Sequence, residues 1–107
     1  MKEKRSDDYF VELPDGISKD DMQQVVENAA GNVGMYISHI GGYSRVKYPN
    51  SVHWHFKRNK KETGLLDATF WDVKNHFWLT IRHREPKWVH SMVPLFLSAI
   101  KKELETI

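Results

Sequence analysis

The sequence predicts an α+β domain: an antiparallel sheet of five to six strands with two helices packed on one face. Three observations carry this expectation. Segments 52–58 (VHWHFKR), 65–71 (LLDATFW) and 76–84 (HFWLTIRHR) alternate apolar and polar residues, as half-buried strands do. Segments 17–32 and 88–107 instead repeat apolar residues every three or four positions, as helices with one buried face do. The chain is 107 residues long, without an internal repeat, linker or low-complexity tract, which suits one domain with a two-layer core.

In chain order, residues 1–7 form a polar, flexible N-terminal tail, and the single α+β domain occupies 8–107. DYFVEL (8–13) reads as a short strand closed by a turn at Pro14, Asp15 and Gly16. Helix 17–32 follows, with Ser18 as N-cap and Asp20 and Asp21 at the positive end of its dipole. Met22, Val25, Val26, Ala29 and Ala30 form its apolar stripe, and Gly31 with Asn32 ends it. VGMYISHI (33–40) is a strand, broken by Gly41 and Gly42, and YSRVKY (43–48) is another, closed by Pro49 and Asn50. Strand 52–58 leads through the charged loop NKKETG to strand 65–71. The four residues DVKN turn the chain into strand 76–84. The last helix buries Trp88, Val89, Met92, Val93, Phe96, Leu97, Ile100 and Leu104. A start at Ser91 places Pro94 in its first turn, where proline is tolerated.

The element order is β-α-β-β-β-β-β-α, with the strand count depending on whether every middle segment joins the sheet. This order is similar to a single repeat of the TATA-binding-protein-like fold, and more loosely to helix-grip folds. The resemblance lies in element order along most of the chain. No sequence motif accompanies it, so no functional residue is carried over.

Composition removes several function classes. Hydrophobic residues are 40% and charged residues 28%, near the globular norm, which excludes wholesale disorder. Without cysteine, disulfides, thiolate zinc sites and a cysteine nucleophile are excluded. No apolar run is long enough to span a bilayer, and MKEKRSDDYF lacks the apolar segment of a signal peptide. A cytoplasmic location without membrane contact is therefore expected. GGYS does not match a phosphate-binding loop, and no cofactor is expected. The net charge is +2, but residues 1–30 hold four Lys/Arg against eight Asp/Glu, while 31–107 hold twelve against six. That asymmetry points to an anionic partner.

Alternation assigns the faces. Val52, Trp54 and Phe56, Leu66, Ala68 and Phe70, and Phe77, Leu79 and Ile81 should meet the helices. The opposite face then carries His53, His55, Lys57, Leu65, Asp67, Thr69, Trp71, His76, Trp78, Thr80, Arg82 and Arg84, with no evident cover. If DVKN closes a four-residue loop, Trp71 pairs with His76, Thr69 with Trp78, Asp67 with Thr80 and Leu65 with Arg82. The preceding hairpin has a longer loop; its parity-preserving register sets His55 opposite Asp67 and His53 opposite Thr69, which makes a row of His55, Asp67 and Thr80, whereas a slip by two residues keeps the face and changes the partners.

Three chemistries suit such a face. As a nucleic-acid surface, Trp71 and Trp78 would stack bases, beside His53 and His55. Lys57, Arg82 and Arg84 would meet phosphates, joined by Arg58, Lys60 and Lys61 and extended by Arg45 and Lys47. The bland counterpart buries the same tryptophans in a homodimer or hetero-complex seam. As a metal site, His53, His55 and His76 supply imidazoles, with Asp67 as third or fourth ligand. As an acid–base site, Asp67 orients His55 beside Thr80, although no nucleophile or oxyanion hole can be identified. His39, His83 and His90 are isolated and receive no role. We therefore expect a non-enzymatic binding protein, a homodimer, that contacts nucleic acid through this face. The alternatives are a protein–protein module and a small-ligand or metal-dependent enzyme using His55 and Asp67.

Overall fold

A computed structural model describes residues 5–42 and 47–107. It contains β1 (Ser6–Val11), α1 (Lys19–Asn32), β2 (Tyr36–Gly41), β3 (Val52–Lys57), β4 (Leu66–Trp71), a short 3-10 turn (Asp72–Lys74), β5 (His76–Arg82) and α2 (Lys87–Leu104). The strands form one antiparallel sheet in the order β1-β5-β4-β3-β2. The fold is thus the expected α+β sheet with two helices. Five strands join it. Of the expected strand 43–48, residues 43–46, including Arg45, lie outside the described residues, and Tyr48 makes an isolated bridge.

The register follows the sequence reading. Trp71 pairs with His76, Thr69 with Trp78 and Asp67 with Thr80. His53 pairs with Thr69 and His55 with Asp67. The 72–75 connection holds this register because Asn75 takes the left-handed conformation that closes it (φ 54°), and its side chain donates to Pro14 O at 3.1 Å.

Strand phase is also as expected. Trp54, Phe56, Leu66, Ala68, Phe70, Phe77, Leu79 and Ile81 are buried in one core with the stripes of both helices. Phe56 meets Phe96 of α2 edge-on at 4.9 Å between ring centroids, and Trp54 Nε1 donates to Gln23 of α1 at 2.6 Å. Both helices therefore lie on the same side of β3.

Four local details differ from the sequence reading. β1 begins at Ser6, so the last two residues of the expected tail are in the sheet, where Ser6 and Asp7 pair with Arg82 and Ile81. α1 ends at Asn32 as expected, but the glycine that closes it is Gly34 rather than Gly31. Gly34 takes the left-handed position (φ 79°), and Met35 N–H reaches back to Ala30 O at 2.8 Å, a Schellman closure. α2 starts at Lys87 rather than Ser91, which leaves Pro94 inside the helix. The earlier start buries Trp88 and Val89, and Trp88 Nε1 donates to Thr63 O at 2.8 Å. Pro94 faces solvent, so water can solvate the carbonyl of His90 that the proline cannot bond.

The fourth detail is in β2. Its register against β3 shifts between Ile37 and His39, leaving Ser38 as an extra residue whose hydroxyl donates to His55 O at 3.1 Å. Ile37 is thereby opposite Phe56 and Ile40 opposite Trp54, on the helix side. His39 is opposite His55, on the other side.

Candidate functional site

The sheet face away from the helices has two unlike ends. At one end a single register row crosses all five strands: His39, His55, Asp67, Thr80 and Asp8. Strand geometry alone brings these side chains together, since directly paired residues share a face. Thr80 Oγ1 donates to Asp8 at 2.9 Å. The rings of His39 and His55 lie 5.3 Å apart, and those of His55 and His53 lie 4.9 Å apart and nearly perpendicular.

Asp67 is the centre of this end. It is 3% exposed, although a carboxylate normally stays in water. Its Oδ2 is 3.2 Å from Arg82 Nη2 and 3.9 Å from His53 Nε2, and its Oδ1 is 3.6 Å from His55 Nε2. None of the imidazole distances is short enough for a hydrogen bond. Oδ1 is buried and has no hydrogen-bond partner. Burial pushes the Asp67 carboxyl above its ordinary range, against the pull of His55 and Arg82, and Glu85 adds to the rise. Arg82 divides its charge, with Nη1 at 3.4 Å from Glu85 Oε2. Glu85 in turn accepts from Leu65 N–H at 3.3 Å.

His53 is buried beside Asp67 and contacts Thr69 Oγ1 through Nδ1 at 2.8 Å. Burial lowers its pKa to about 4, helped by His55, Arg82 and His39. The ring is therefore neutral at pH 7, and its approach to Asp67 is not an ion pair there.

The other end is aromatic. Trp78 was expected to lie open, yet it is only 4% exposed. Tyr48, in the connection between β2 and β3, sets its ring 5.2 Å from Trp78 and 5.0 Å from Trp71. Phe10 of β1 leans on Trp78 from the other side at 5.5 Å. The cover has a simple cause: two indoles left in water would each forfeit a large apolar transfer free energy. Trp71 is half-buried, and its Nε1 is enclosed without an acceptor. Phe10 remains 65% exposed.

The structure thus gathers His53, His55, Asp67 and Thr80, with Arg82 at their margin. His76 is not with them. It packs edge-on against Phe10 and Trp71, 6.3 Å from each ring, at the aromatic end. Of the candidate metal ligands, His53, His55 and Asp67 lie together and His76 lies apart. The parity of the strands put all four residues on one face, but rows separate them along it. Arg58 is engaged elsewhere, paired with Glu62 at 2.6 Å and set over the Trp88 ring at 4.9 Å. Lys57 is half-buried, and Lys60, Lys61 and Arg84 are exposed. Lys47 lies 5.6 Å over the Tyr48 ring.

His39, Glu85 and Asp8 were missed. For His39 a signal existed: Ile37 and Ile40 are three apart, so both can take the helix side of the sheet only if an extra residue intervenes. Glu85 and Asp8 carry no such mark. Comparison with protein-family models, with curated proteins and with solved structures finds no match.

Proposed function

We propose that this is a non-enzymatic binding protein whose ligand seat is the histidine–aspartate end of the face opposite the helices. One observation carries the reading: a buried carboxylate oxygen, Asp67 Oδ1, lies 3.6 Å from His55 Nε2 and has no hydrogen-bond partner. Folded proteins rarely leave a buried acceptor unsatisfied, because it costs about 1–3 kcal/mol, and the exceptions concentrate at functional sites. The nearby histidines offer lone pairs or protons to whatever enters, and Arg82 fixes the carboxylate. The hydroxyl beside a histidine, that of Thr69, is fully buried, and the Thr80 hydroxyl donates to Asp8, which favours binding over catalysis.

Thermal unfolding of the protein with inorganic phosphate, nucleotides, single-stranded oligonucleotides and divalent cations tests this reading. At least one ligand class should raise the midpoint of the wild type and fail to do so in both His55→Ala and Asp67→Asn. Equal shifts in wild type and variants, or no shift with any class, would overturn it.

A second reading, contact with single-stranded nucleic acid, draws on one different observation. Phe10 is 65% exposed on the same face and tilted against Trp78, and Lys57 is on that face beyond the histidine–aspartate row. Here Phe10 takes the stacking role first expected of Trp71 and Trp78, with Trp78 and His76 against it. Oligonucleotide affinity should then fall steeply with salt and drop in Phe10→Ala. A flat salt response would remove this reading. Sedimentation of the same samples reports whether two copies share the face as a homodimer.

A further inference from the structure

We propose that His53 and His55, through their Nε2 atoms, and Asp67, through Oδ1, form a three-ligand site for one divalent transition-metal ion of the zinc class. The proposal rests on the ligand seat inferred above and names what it takes.

The donors converge because of strand geometry. His53 and His55 are two residues apart on β3, so both rings rise from one face, and Asp67 is the direct partner of His55 on β4. One ligand atom from each of the three residues lies within 4.8 Å of the other two. Nε2 of His55 is 3.6 Å from Asp67 Oδ1, and Nε2 of His53 is 3.9 Å from Oδ2 of the same carboxylate, both too far to hydrogen-bond and too near to be unrelated. Ligands at roughly 2.0–2.1 Å from a tetrahedral zinc ion are about 3.3 Å apart. Small side-chain rotations therefore close the set, with no change of backbone.

The surroundings fit ligation. Thr69 Oγ1 lies 2.8 Å from His53 Nδ1. In the tautomer with the proton on Nδ1, the ring donates to the hydroxyl and turns the Nε2 lone pair toward Asp67. This is the outer contact by which ligating histidines are oriented. Arg82 holds Oδ2, so Asp67 can ligate through the oxygen that otherwise has no partner. Arg82 does not cancel the attraction for a cation, because Glu85 shares its charge. With neutral imidazoles, Asp67, Glu85 and Arg82 together carry one net negative charge. His55 is 28% exposed in its side chain, which leaves an approach from solvent. Two imidazoles and one carboxylate select zinc, cobalt or nickel over the oxygen-seeking magnesium and calcium.

Untagged full-length protein, freed of metal by a chelator, is titrated with Zn²⁺ by calorimetry and with Co²⁺ by visible absorbance. The expected result is saturation at one equivalent, with the intense visible bands of a four- or five-coordinate cobalt ion, and no response to Mg²⁺. His55→Ala and Asp67→Asn should abolish the cobalt spectrum. Thr69→Val should retain the spectrum while weakening affinity about 10–100-fold, the usual effect of removing an orienting partner. His83→Ala and His90→Ala, at surface histidines elsewhere, should change nothing. His53→Ala opens a buried position and is read only if the variant folds, which is why His55 and Asp67 carry the test. Absence of saturable binding at stoichiometric metal, or a spectrum unchanged in His55→Ala and Asp67→Asn, overturns the proposal. If the wild type ignores metal but another ligand still stabilises it in a His55- and Asp67-dependent way, the metal inference alone falls and the ligand seat stands.

Discussion

The two faces of the sheet are built from the same strands, one residue out of phase, and they bury their side chains by different means. On the helix side, Trp54, Phe56, Leu66, Phe70, Phe77 and Leu79 are fully enclosed, and the indole N–H of Trp54 has its acceptor in Gln23. On the opposite side, His53, Asp67, Thr69 and Trp78 are almost as enclosed. Yet among the described residues, both enclosed side-chain atoms without a hydrogen bond, Asp67 Oδ1 and Trp71 Nε1, are on this second side. The first face minimises its own free energy. The second keeps two polar atoms out of water without satisfying them, which costs stability.

The largest expected effect tests the first face. Phe56→Ala removes a ring enclosed between β3 and Phe96, and should cost about 3–5 kcal/mol in urea unfolding. A loss below about 1 kcal/mol would mean that the helix side is not the tighter core.

The second face should respond to acid. His53 has a folded pKa of about 4 against an ordinary value of 6.5. Between these values the unfolded chain takes up a proton that the folded chain refuses. In chelator, the stability that a neutral His53 permits is therefore complete above pH 6.5 and declines as pH falls toward 4, by up to about 3 kcal/mol. Asp67, whose carboxyl is raised, acts in the opposite sense, since lowering the pH relieves its buried charge. Urea midpoints at pH 7.5 and 4.5, compared between wild type and His53→Gln, isolate the histidine. An equal pH response in both proteins would sink this assignment.

Tyr48→Ala should cost about 1–2 kcal/mol, the value of two lost ring contacts. Its clearer sign is optical: tryptophan emission should shift to the red and become accessible to acrylamide as Trp78 is uncovered. Unchanged quenching would show that Tyr48 is not the cover. The smallest expected effect is at Asp67. Asp67→Asn in metal-free protein should stay within about 1 kcal/mol of the wild type, because the lost pairing with Arg82 is offset by relief of a buried charge. A large loss would place Asp67 among the structural residues and dissolve the contrast between the faces.

Much of this contrast can be read along the chain. His53-Trp54-His55-Phe56 alternates without a break, so the indole and the imidazoles must part to opposite faces. The DVKN connection sets the β4–β5 register, and the β3–β4 register preserves the same parity. Together they place His55 beside Asp67. Other features have no local signature. The shift at Ser38 that brings His39 to the site is set by the pairing of β2 with β3, which turns both Ile37 and Ile40 to the helix side although only Ile37 packs on the core. The earlier start of α2 depends on a pocket for Trp88 that only the folded 59–64 loop provides.

By itself the sequence determined which residues share a face, because the two-residue period of a strand is a property of the backbone. Only the tertiary structure decided how deeply each was buried, because burial depends on what lies above a side chain. Tyr48, eight or more residues away from every strand but β3 and β2, closes over the tryptophans, while the packing around Asp67 removes its water and leaves one oxygen without a donor.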